Sequence, residues 1–218
     1  MADHLNTIKD AVIGGKHTEI KGLVQQALDQ GLDPGTIIND ALIAAMDVVG
    51  KDFGEGKIFV PEMLVSAVTM KAGLQVVKPH LAGGESRSRG TIIMATVKGD
   101  QHDIGKNLVS MMLEGAGFKV MDLGVDLCVD KLIDQVKALK PDILGLSALL
   151  TTTMPEMQKV IGELKDKGLR DKVKVMVGGA PVDRAFAEKI GADGYGANAA
   201  EAVELARRFA GASASKES

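Results

Sequence analysis

The chain has 218 residues, of which 45% are hydrophobic and 25% are charged, and its formal charge is −3 at pH 7. This much apolar material supports a folded core, and the length suits one large domain or two small ones. The sequence shows no basic stripe, contains 3% aromatic residues and has no Trp. It therefore lacks the phosphate-binding and base-stacking surfaces of nucleic-acid binders, and we expect no nucleic-acid partner.

The sequence predicts a cytoplasmic protein with no membrane attachment. Its first residues lack the basic and then apolar pattern of a signal peptide, and we expect no stretch of about 18 apolar residues that spans a bilayer. Cys128 is the single cysteine, so the chain forms no internal disulfide. This cysteine usage is typical of a reducing compartment.

The first part of the chain predicts an all-α helical bundle over residues 1–82. Apolar residues recur there at helical spacing in four stretches, and Asp33 followed by Pro34 is a helix-start signal. The four stretches are 5–12, 20–28, 37–49 and 63–74. Residues 83–90 contain three Gly, two Ser and no apolar side chain, which predicts an exposed linker.

After the linker, the pattern changes to short β-branched runs that alternate with amphipathic stretches. This alternation predicts a parallel five-stranded α/β sheet with helices on both faces over residues 91–212, and a disordered tail over 213–218. Ligands of such sheets bind at the carboxyl ends of the strands. The predicted strands are Thr91–Val97, Lys119–Leu123, Ile143–Leu146, Val173–Val177 and a short fifth one within Ala192–Gly196, with a last helix over 198–210.

The loop after the first predicted strand holds the most unusual residues. Five residues separate Gly99 from Gly105, and Asn107 stands where a phosphate-binding loop has the hydroxyl that holds magnesium, so this is not a nucleoside triphosphate site. Asp100 lies two residues before His102. A carboxylate bonded to one ring nitrogen fixes the imidazole tautomer and makes the other nitrogen a better metal ligand.

No second protein ligand for a metal is apparent in the sequence. The other histidines, His4, His17 and His80, stand at no ligand spacing from His102, and Cys128 is not placed to complete a zinc site. We therefore expect a metal at His102 to arrive already coordinated within a cofactor.

Three motifs in order resemble the signature of cobalamin-binding domains that hold the cofactor with its own base displaced by a histidine. They are Asp100-x-His102-x-x-Gly105, then after 41 residues Ser147-x-Leu149, then after 28 residues Gly178-Gly179. The extended form through Lys106 is similar to methionine synthase and to the small corrinoid proteins of methyltransferase systems. The resemblance covers nearly the whole chain and implies a flavodoxin-like (Rossmann-type) cobalamin-binding domain.

The resemblance also implies roles for single residues. His102 corresponds to the lower axial ligand of the cobalt and Asp100 to its hydrogen-bonding partner. Thr153 stands where methionine synthase has a Ser hydroxyl in the same relay.

Further motif residues would surround the rest of the cofactor. Ser147 and Leu149 would border the displaced nucleotide tail, and Gly178-Gly179 would let the tail pass against the backbone. The remaining residues that we expect to contact cobalamin are Gln101, Asp103, Ile104, Gly105 and Thr151.

The helical half carries a second resemblance. The segment from Phe53 to Met63 is similar to the part of methionine synthase that caps the upper, methyl-bearing face of the corrin. The resemblance makes residues 1–82 a cap domain, with Phe53, Val60 and Met63 as cap residues. An apolar cap shields a reactive cobalt–carbon bond, and the linker at 83–90 is the expected hinge for its movement.

Each assignment has a purely structural alternative. Asp100 and Ser147 are residue types that are common in turns, and the Gly pair suits an ordinary strand-to-helix turn. Thr153 can simply begin the helix whose second position is Pro155. The cap residues lie in an apolar pattern, for which core packing is the default.

The resemblance implies a corrinoid methyl-carrier protein that is not a complete enzyme by itself. Such a carrier accepts a methyl group on cobalt(I) from a substrate-specific methyltransferase and donates it from methylcobalt(III) to a second methyltransferase with a pterin or thiol acceptor. A reductive activation protein is a further expected partner, and methylcobalamin or a related corrinoid is the expected cofactor. A cobalamin-dependent sensor and an adenosylcobalamin subunit of a mutase are the alternatives. The methyl donor, the acceptor, the lower base and the oligomeric state stay open.

Overall fold

The computed structural model describes residues 2–80 and 88–214, which form two compact units. The first unit ends at Ser88 and also takes in Gly115–Gly117, and the second comprises Arg89–Glu114 and the chain from Phe118 onward. Residues 83–87 of the predicted linker and residues 215–218 of the predicted tail lie outside the described residues. Residues 213 and 214 of that tail belong to the last helix.

The first unit is helical. Asp33 accepts a hydrogen bond from the Thr36 N–H at 2.8 Å, and Pro34 follows it in the first turn, so the helix starts as its sequence predicts. The helix then continues through a π-helical segment before it returns to α geometry. The elements are α1 Ala2–Ile13, α2 Ile20–Asp29, α3 Pro34–Thr36, the π-helical segment Ile37–Ile43, α4 Ala44–Gly54, α5 Val60–Val77 and a 3₁₀ turn Lys78–His80.

Helix α5 corrects the expectation that no stretch is long and apolar enough to cross a membrane. Its 18 residues have a mean hydropathy of 1.2, so α5 meets that criterion by length and composition. However, Glu62 and Lys71 interrupt it. The Ser66 hydroxyl donates to the carbonyl of Ile13 in α1 at 3.2 Å, and Gly73 lies directly against Ile20 of α2. These contacts are those of a core helix of the helical unit.

The second unit is a parallel five-stranded sheet with helices, as the sequence predicts. The strand order is β2-β1-β3-β4-β5, and every pair is parallel. The elements are β1 Thr91–Thr96, α6 Ile104–Gly115, β2 Lys119–Asp122, α7 Val129–Leu139, β3 Ile143–Ser147, α8 Met154–Asp166, a 3₁₀ turn Arg170–Lys172, β4 Lys174–Gly178, α9 Arg184–Ile190, β5 Gly194–Tyr195 and α10 Ala199–Ala214.

Small residues lie on one face of the sheet at the carboxyl ends of its central strands. On one face, large aliphatic residues of β1, β3 and β4 pack with α7, α8 and α9 into a buried core. On the other face, Thr96, Ser147 and Gly178 are paired neighbours at the carboxyl ends of β1, β3 and β4. Helix α10 covers part of this second face, since Leu205 lies against Gly194. The end of the sheet therefore carries small side chains on the second face.

The strand order indicates which edge of the sheet would bind a ligand. The chain moves from β1 outward to β2 and then back across to β3, so the connections after β1 and β3 diverge to opposite sides. In open α/β sheets, this divergence leaves a crevice at the carboxyl ends of the two strands. The loop with His102 follows β1, and the loop with Leu149 follows β3.

Candidate functional site

Asp100 is the centre of the hydrogen-bond network at this edge of the sheet. Its side chain is fully buried, and both oxygens are used. Oδ1 accepts from His102 Nδ1 at 2.7 Å and from the His102 N–H at 3.1 Å. Oδ2 accepts from the N–H groups of Leu149 and Leu150 at 2.7 and 3.2 Å, and from the Thr153 hydroxyl at 2.8 Å. One carboxylate thus joins the loops after β1 and β3.

This network keeps the Asp100 carboxyl ionised. Burial alone raises its pKa, but the hydrogen bonds from the Leu149 N–H, the ring and N–H of His102, and the Thr153 hydroxyl outweigh burial and hold the pKa well below its usual range. A carboxylate facing Nδ1 places the imidazole proton on that nitrogen. The Nε2 lone pair of His102 is then left for another partner, and 52% of the His102 side chain is exposed.

Among residues 2–80 and 88–214, His102 belongs to no cluster of potential metal ligands. In the described part of the chain, no three His, Cys, Asp or Glu residues are grouped closely enough to hold a metal ion. A metal bound at His102 Nε2 would therefore have to bring most of its ligands with it, as the metal of a macrocyclic cofactor does.

Main-chain contacts fix the loop that carries His102. The Thr96 hydroxyl donates to the His102 carbonyl at 2.9 Å, and Gly99 has a φ of +81°. After His102, Asp103 accepts from the side chain of Asn107 at 3.0 Å as α6 begins. Such a loop presents the imidazole with little freedom of its backbone.

Large apolar side chains are exposed on the two chain segments that Asp100 joins. Ile104 is 86% exposed, Leu149 40% and Leu150 41%. An exposed apolar patch next to a polar pair is typical of a ligand-binding surface. The patch, the exposed Nε2 side of His102 and the row of small residues at the sheet end together fit a large planar cofactor with an appended tail.

The Gly pair at the end of β4 has a structural requirement of its own. Gly179 has a φ of +129°, and a Cβ there would stand 1.8 Å from the carbonyl oxygen of Ala148. At Gly178 a Cβ would meet the Gly196 oxygen at 3.1 Å. We expected the Gly pair to make room for the nucleotide tail; the structure shows that Gly179 is needed already for the approach of the β3 and β4 loops.

The remaining residues expected at the site fall at the same edge of the sheet. Gln101, Asp103 and Thr151 are exposed, and Gly105 has open space where a Cβ would stand. Ser147 is half-buried at the end of β3. Their contact with cobalamin stays a prediction.

The three expected cap residues have different surroundings. Phe53 is half-buried in α4, and Val60 is 40% exposed at the start of α5. Met63 is fully buried, which agrees with the alternative of core packing. The cap role of these residues stays a prediction.

The sequence reasoning missed several residues that support the site. Leu149 is predicted to border the nucleotide tail, which stays a prediction, and the sequence did not indicate that its N–H and that of Leu150 bind Asp100. Lys106 is buried, forms an ion pair with Asp122 and donates to Asn107 at 2.9 Å. The position of Lys106 in the extended motif could have indicated its role. The hydrogen bonds of main-chain N–H groups cannot be predicted from residue types.

Comparison with known proteins agrees with this geometry. A family model described as a B12 binding domain matches residues 90–204, and a second B12 binding domain model matches residues 4–78. The chain is 46% identical over 206 residues to a dimethylamine corrinoid protein of Methanosarcina barkeri, which covers 94% of this chain and 96% of that protein. It is 41% identical over 210 residues to a corrinoid protein of Desulfitobacterium hafniense strain Y51, covering 95% and 97%.

Two solved structures resemble the chain over nearly its whole length. One is a methanol:cobalamin methyltransferase complex from Methanosarcina barkeri, with a TM-score of 0.87, 33% identity, and coverage of 96% of this chain and 80% of that chain. The other is a cobalamin-binding protein from Desulfitobacterium hafniense DCB-2, with a TM-score of 0.80, 34% identity, and coverage of 94% and 98%.

Proposed function

The chain belongs to the family of B12-binding corrinoid proteins, and from this premise we propose that it carries methyl groups between two methyltransferases. The observation that supports this most is the Asp100–His102 pair, in which Nδ1 faces the carboxylate and half of the His102 side chain is exposed at the carboxyl end of the sheet. The cofactor that we propose is methylcobalamin or a related corrinoid, and His102 Nε2 would be the atom of the chain that holds its cobalt. When bound, the corrinoid would supply the methyl-transfer chemistry.

The residues of the chain would hold and orient this group. Asp100 keeps the His102 ring in one tautomer, and the Thr153 hydroxyl and the Leu149 N–H keep Asp100 ionised and in place. Because Asp100 has no exposed surface, water does not compete for its oxygens. The imidazole is therefore positioned before any cofactor arrives, which lowers the entropic cost of ligation.

The partners that we propose are a substrate-specific methyltransferase, a second methyltransferase with a pterin or thiol acceptor, and a reductive activation protein. The names of the relatives support the first of these. The dimethylamine corrinoid protein aligns over nearly its full length, and one similar structure is a methyltransferase complex.

A methyl-transfer assay tests this function. The corrinoid-loaded and reduced chain is mixed in turn with methanol- and methylamine-specific methyltransferases, and radiolabelled methanol or mono-, di- or trimethylamine is offered singly. We expect one of these donors to label the bound corrinoid with about one methyl group per chain. A His102→Gly variant and a reaction without the methyltransferase are the controls.

Comparing the affinities for methylcobalamin and adenosylcobalamin distinguishes a methyl carrier from a mutase subunit, and a self-association assay distinguishes it from a sensor. A methyl carrier binds methylcobalamin at least as tightly as adenosylcobalamin. Tighter binding of adenosylcobalamin, together with no labelling from any donor, would contradict the proposal and favour a mutase subunit. Light-dependent or corrin-dependent self-association without methyl transfer would favour a sensor.

A further inference from the structure

The segment after β2 runs along the end of β1, beside the loop that holds His102. The Leu123 N–H donates to the Met94 carbonyl at 2.9 Å, and the Thr96 N–H donates to the Gly124 carbonyl at 3.0 Å. The Leu127 N–H then donates to the Thr96 carbonyl at 3.1 Å. The residues between Gly124 and Leu127 leave this ladder and form a bulge next to the site.

Asp126 lies in this bulge and binds the His102 loop twice. Its Oδ1 accepts a hydrogen bond from the Gly99 N–H at 2.7 Å, and its own N–H donates to the Asp100 carbonyl at 3.0 Å. Gly99 directly precedes Asp100, and Asp100 is the residue whose carboxylate binds the His102 ring. Asp126 therefore fixes the main chain from which the Asp100 carboxylate holds the imidazole.

The backbone of Asp126 is unusual for a side-chain-bearing residue. Its φ is +55°, and Lys140 is the other non-Gly residue with positive φ among the described residues. Asp and Asn adopt this conformation more readily than other residues with a side chain, and unfavoured backbone geometry is concentrated at functional sites. In this conformation, both the carboxylate and the N–H of Asp126 reach the same loop.

Asp126 is also exposed, so it is not part of the hydrophobic core. Its two hydrogen bonds end on the ligand loop, and the residues of the core lie on the face that α7, α8 and α9 cover. Both hydrogen bonds therefore act on the main chain beside His102 and not on the packing of the core.

We propose that Asp126 is a positioning residue for His102, which it orients through the main chain of Gly99 and Asp100. The inference rests on the proposed function in that His102 ligates a corrinoid. Asp126 itself touches neither the ring nor the ligand position. Its loss should weaken axial ligation and leave the other contacts of the cofactor unchanged.

Two substitutions separate the hydrogen bond from the backbone conformation. Asp126→Gly adopts a φ of +55° freely but removes the acceptor for the Gly99 N–H. Asp126→Asn keeps an acceptor oxygen and tolerates the same conformation. The Asn variant is therefore the matched rescue of the Gly variant.

A comparison of the affinities for two corrinoids separates the contribution of His102 ligation from that of the other contacts between the chain and the corrinoid. Methylcobalamin can exchange its lower base for His102, whereas dicyanocobalamin has both axial positions filled by cyanide and cannot. The dissociation constants of both are measured for the wild type and the two variants, with the thermal midpoint of each protein. For Asp126→Gly we expect about tenfold weaker binding of methylcobalamin, which corresponds to about 1.4 kcal/mol, and binding of dicyanocobalamin within about twofold of the wild type.

The outcomes are distinguishable. Recovery of methylcobalamin affinity in Asp126→Asn supports the inference. An unchanged affinity of Asp126→Gly for methylcobalamin would overturn the inference, because Asp126 would then have no role in ligation. An equal loss of affinity for both corrinoids, or a Gly variant that does not fold, would also overturn it, because Asp126 would then have a general structural role. A wild type that binds neither corrinoid would instead refute the proposed function.

Discussion

Replacing Asp100 by Asn removes one charge from the centre of the network and nearly nothing from its shape. The native carboxylate accepts five hydrogen bonds, two on Oδ1 and three on Oδ2. An Asn keeps one acceptor oxygen. If that oxygen faces Leu149, Leu150 and Thr153, the amide NH₂ faces the N–H of His102, which then has no acceptor.

The expected change in the free energy of unfolding follows from the number of donors that lose their acceptor. A buried donor that loses its acceptor costs about 1–3 kcal/mol, and the loss of the charge weakens the hydrogen bonds that remain. We therefore expect Asp100→Asn to lower the free energy of unfolding by about 3 kcal/mol. In a chain of this size, this corresponds to a fall of about 6–12 °C in the thermal midpoint.

The same substitution should change the tautomer of the imidazole. An amide NH₂ donates to Nδ1 of His102, so the ring proton moves to Nε2, and Nε2 loses the lone pair that a metal needs. We expect bound methylcobalamin to shift from the histidine-ligated to the base-off absorption spectrum. Asp134→Asn, at an exposed carboxylate of α7 that is not among the expected cofactor contacts, is the matched control and should leave the spectrum unchanged.

The loss of stability in Asp100→Asn should depend on pH. The pKa of Asp100 is lowered in the folded protein, so its stabilisation is complete above the pKa of the unfolded chain and disappears as the pH falls through the folded value. The difference in thermal midpoint between wild type and Asp100→Asn should be constant from about pH 6 to 8 and shrink below about pH 4. A midpoint difference under about 2 °C at pH 7, or one that grows in acid, would refute the reasoning.

Three further predictions concern single contacts. Gly179→Ala should destabilise the α/β unit by more than about 3 kcal/mol in chemical denaturation, because the new Cβ would stand 1.8 Å from the Ala148 oxygen. Thr153→Val should cost about 1–2 kcal/mol and weaken histidine ligation in the methylcobalamin spectrum, whereas Thr153→Ser should restore both. Asp193→Asn should lower stability at pH 7 by about 1–2 kcal/mol, because its carboxylate binds Arg170 at 2.7 Å. Its pKa is lowered as well, since the Val175 N–H and other hydrogen bonds outweigh burial, so this loss should fade in acid while corrinoid affinity is unchanged.

Much of the α/β unit could be predicted from its sequence. Strands β1, β3 and β4 are short runs of aliphatic residues buried on both faces, and their predicted ends agree with the structure within about two residues. The resemblance to cobalamin-binding domains also implied that Asp100 lies beside His102 and Thr153, and the structure has both hydrogen bonds. Side chains that a parallel sheet collects at one edge are predictable once the strand ends are known.

The parts that could not be predicted depend on main-chain geometry and on packing. The π-helical segment Ile37–Ile43 has the apolar spacing of an ordinary helix, so nothing in the pattern distinguishes it. The bond from the Leu149 N–H to Asp100 has no side-chain signature, and the positive φ of Asp126 depends on where β2 ends beside β1. Helix α5 met the length and hydropathy of a membrane span because a helix in contact with several neighbours is apolar on most of its surface.

The central claim is that His102 Nε2 ligates the cobalt of a bound corrinoid. The most direct measurement is the ultraviolet–visible spectrum of the chain reconstituted with methylcobalamin at neutral pH, compared with His102→Gly and with the free cofactor. The chain has no Trp and one Tyr, so the corrin bands are little obscured. We predict a histidine-ligated spectrum for the wild type and a base-off spectrum for the variant, with both apoproteins folded because half of the His102 side chain is exposed. Identical spectra for wild type and variant, or no binding by the wild type, would contradict the account.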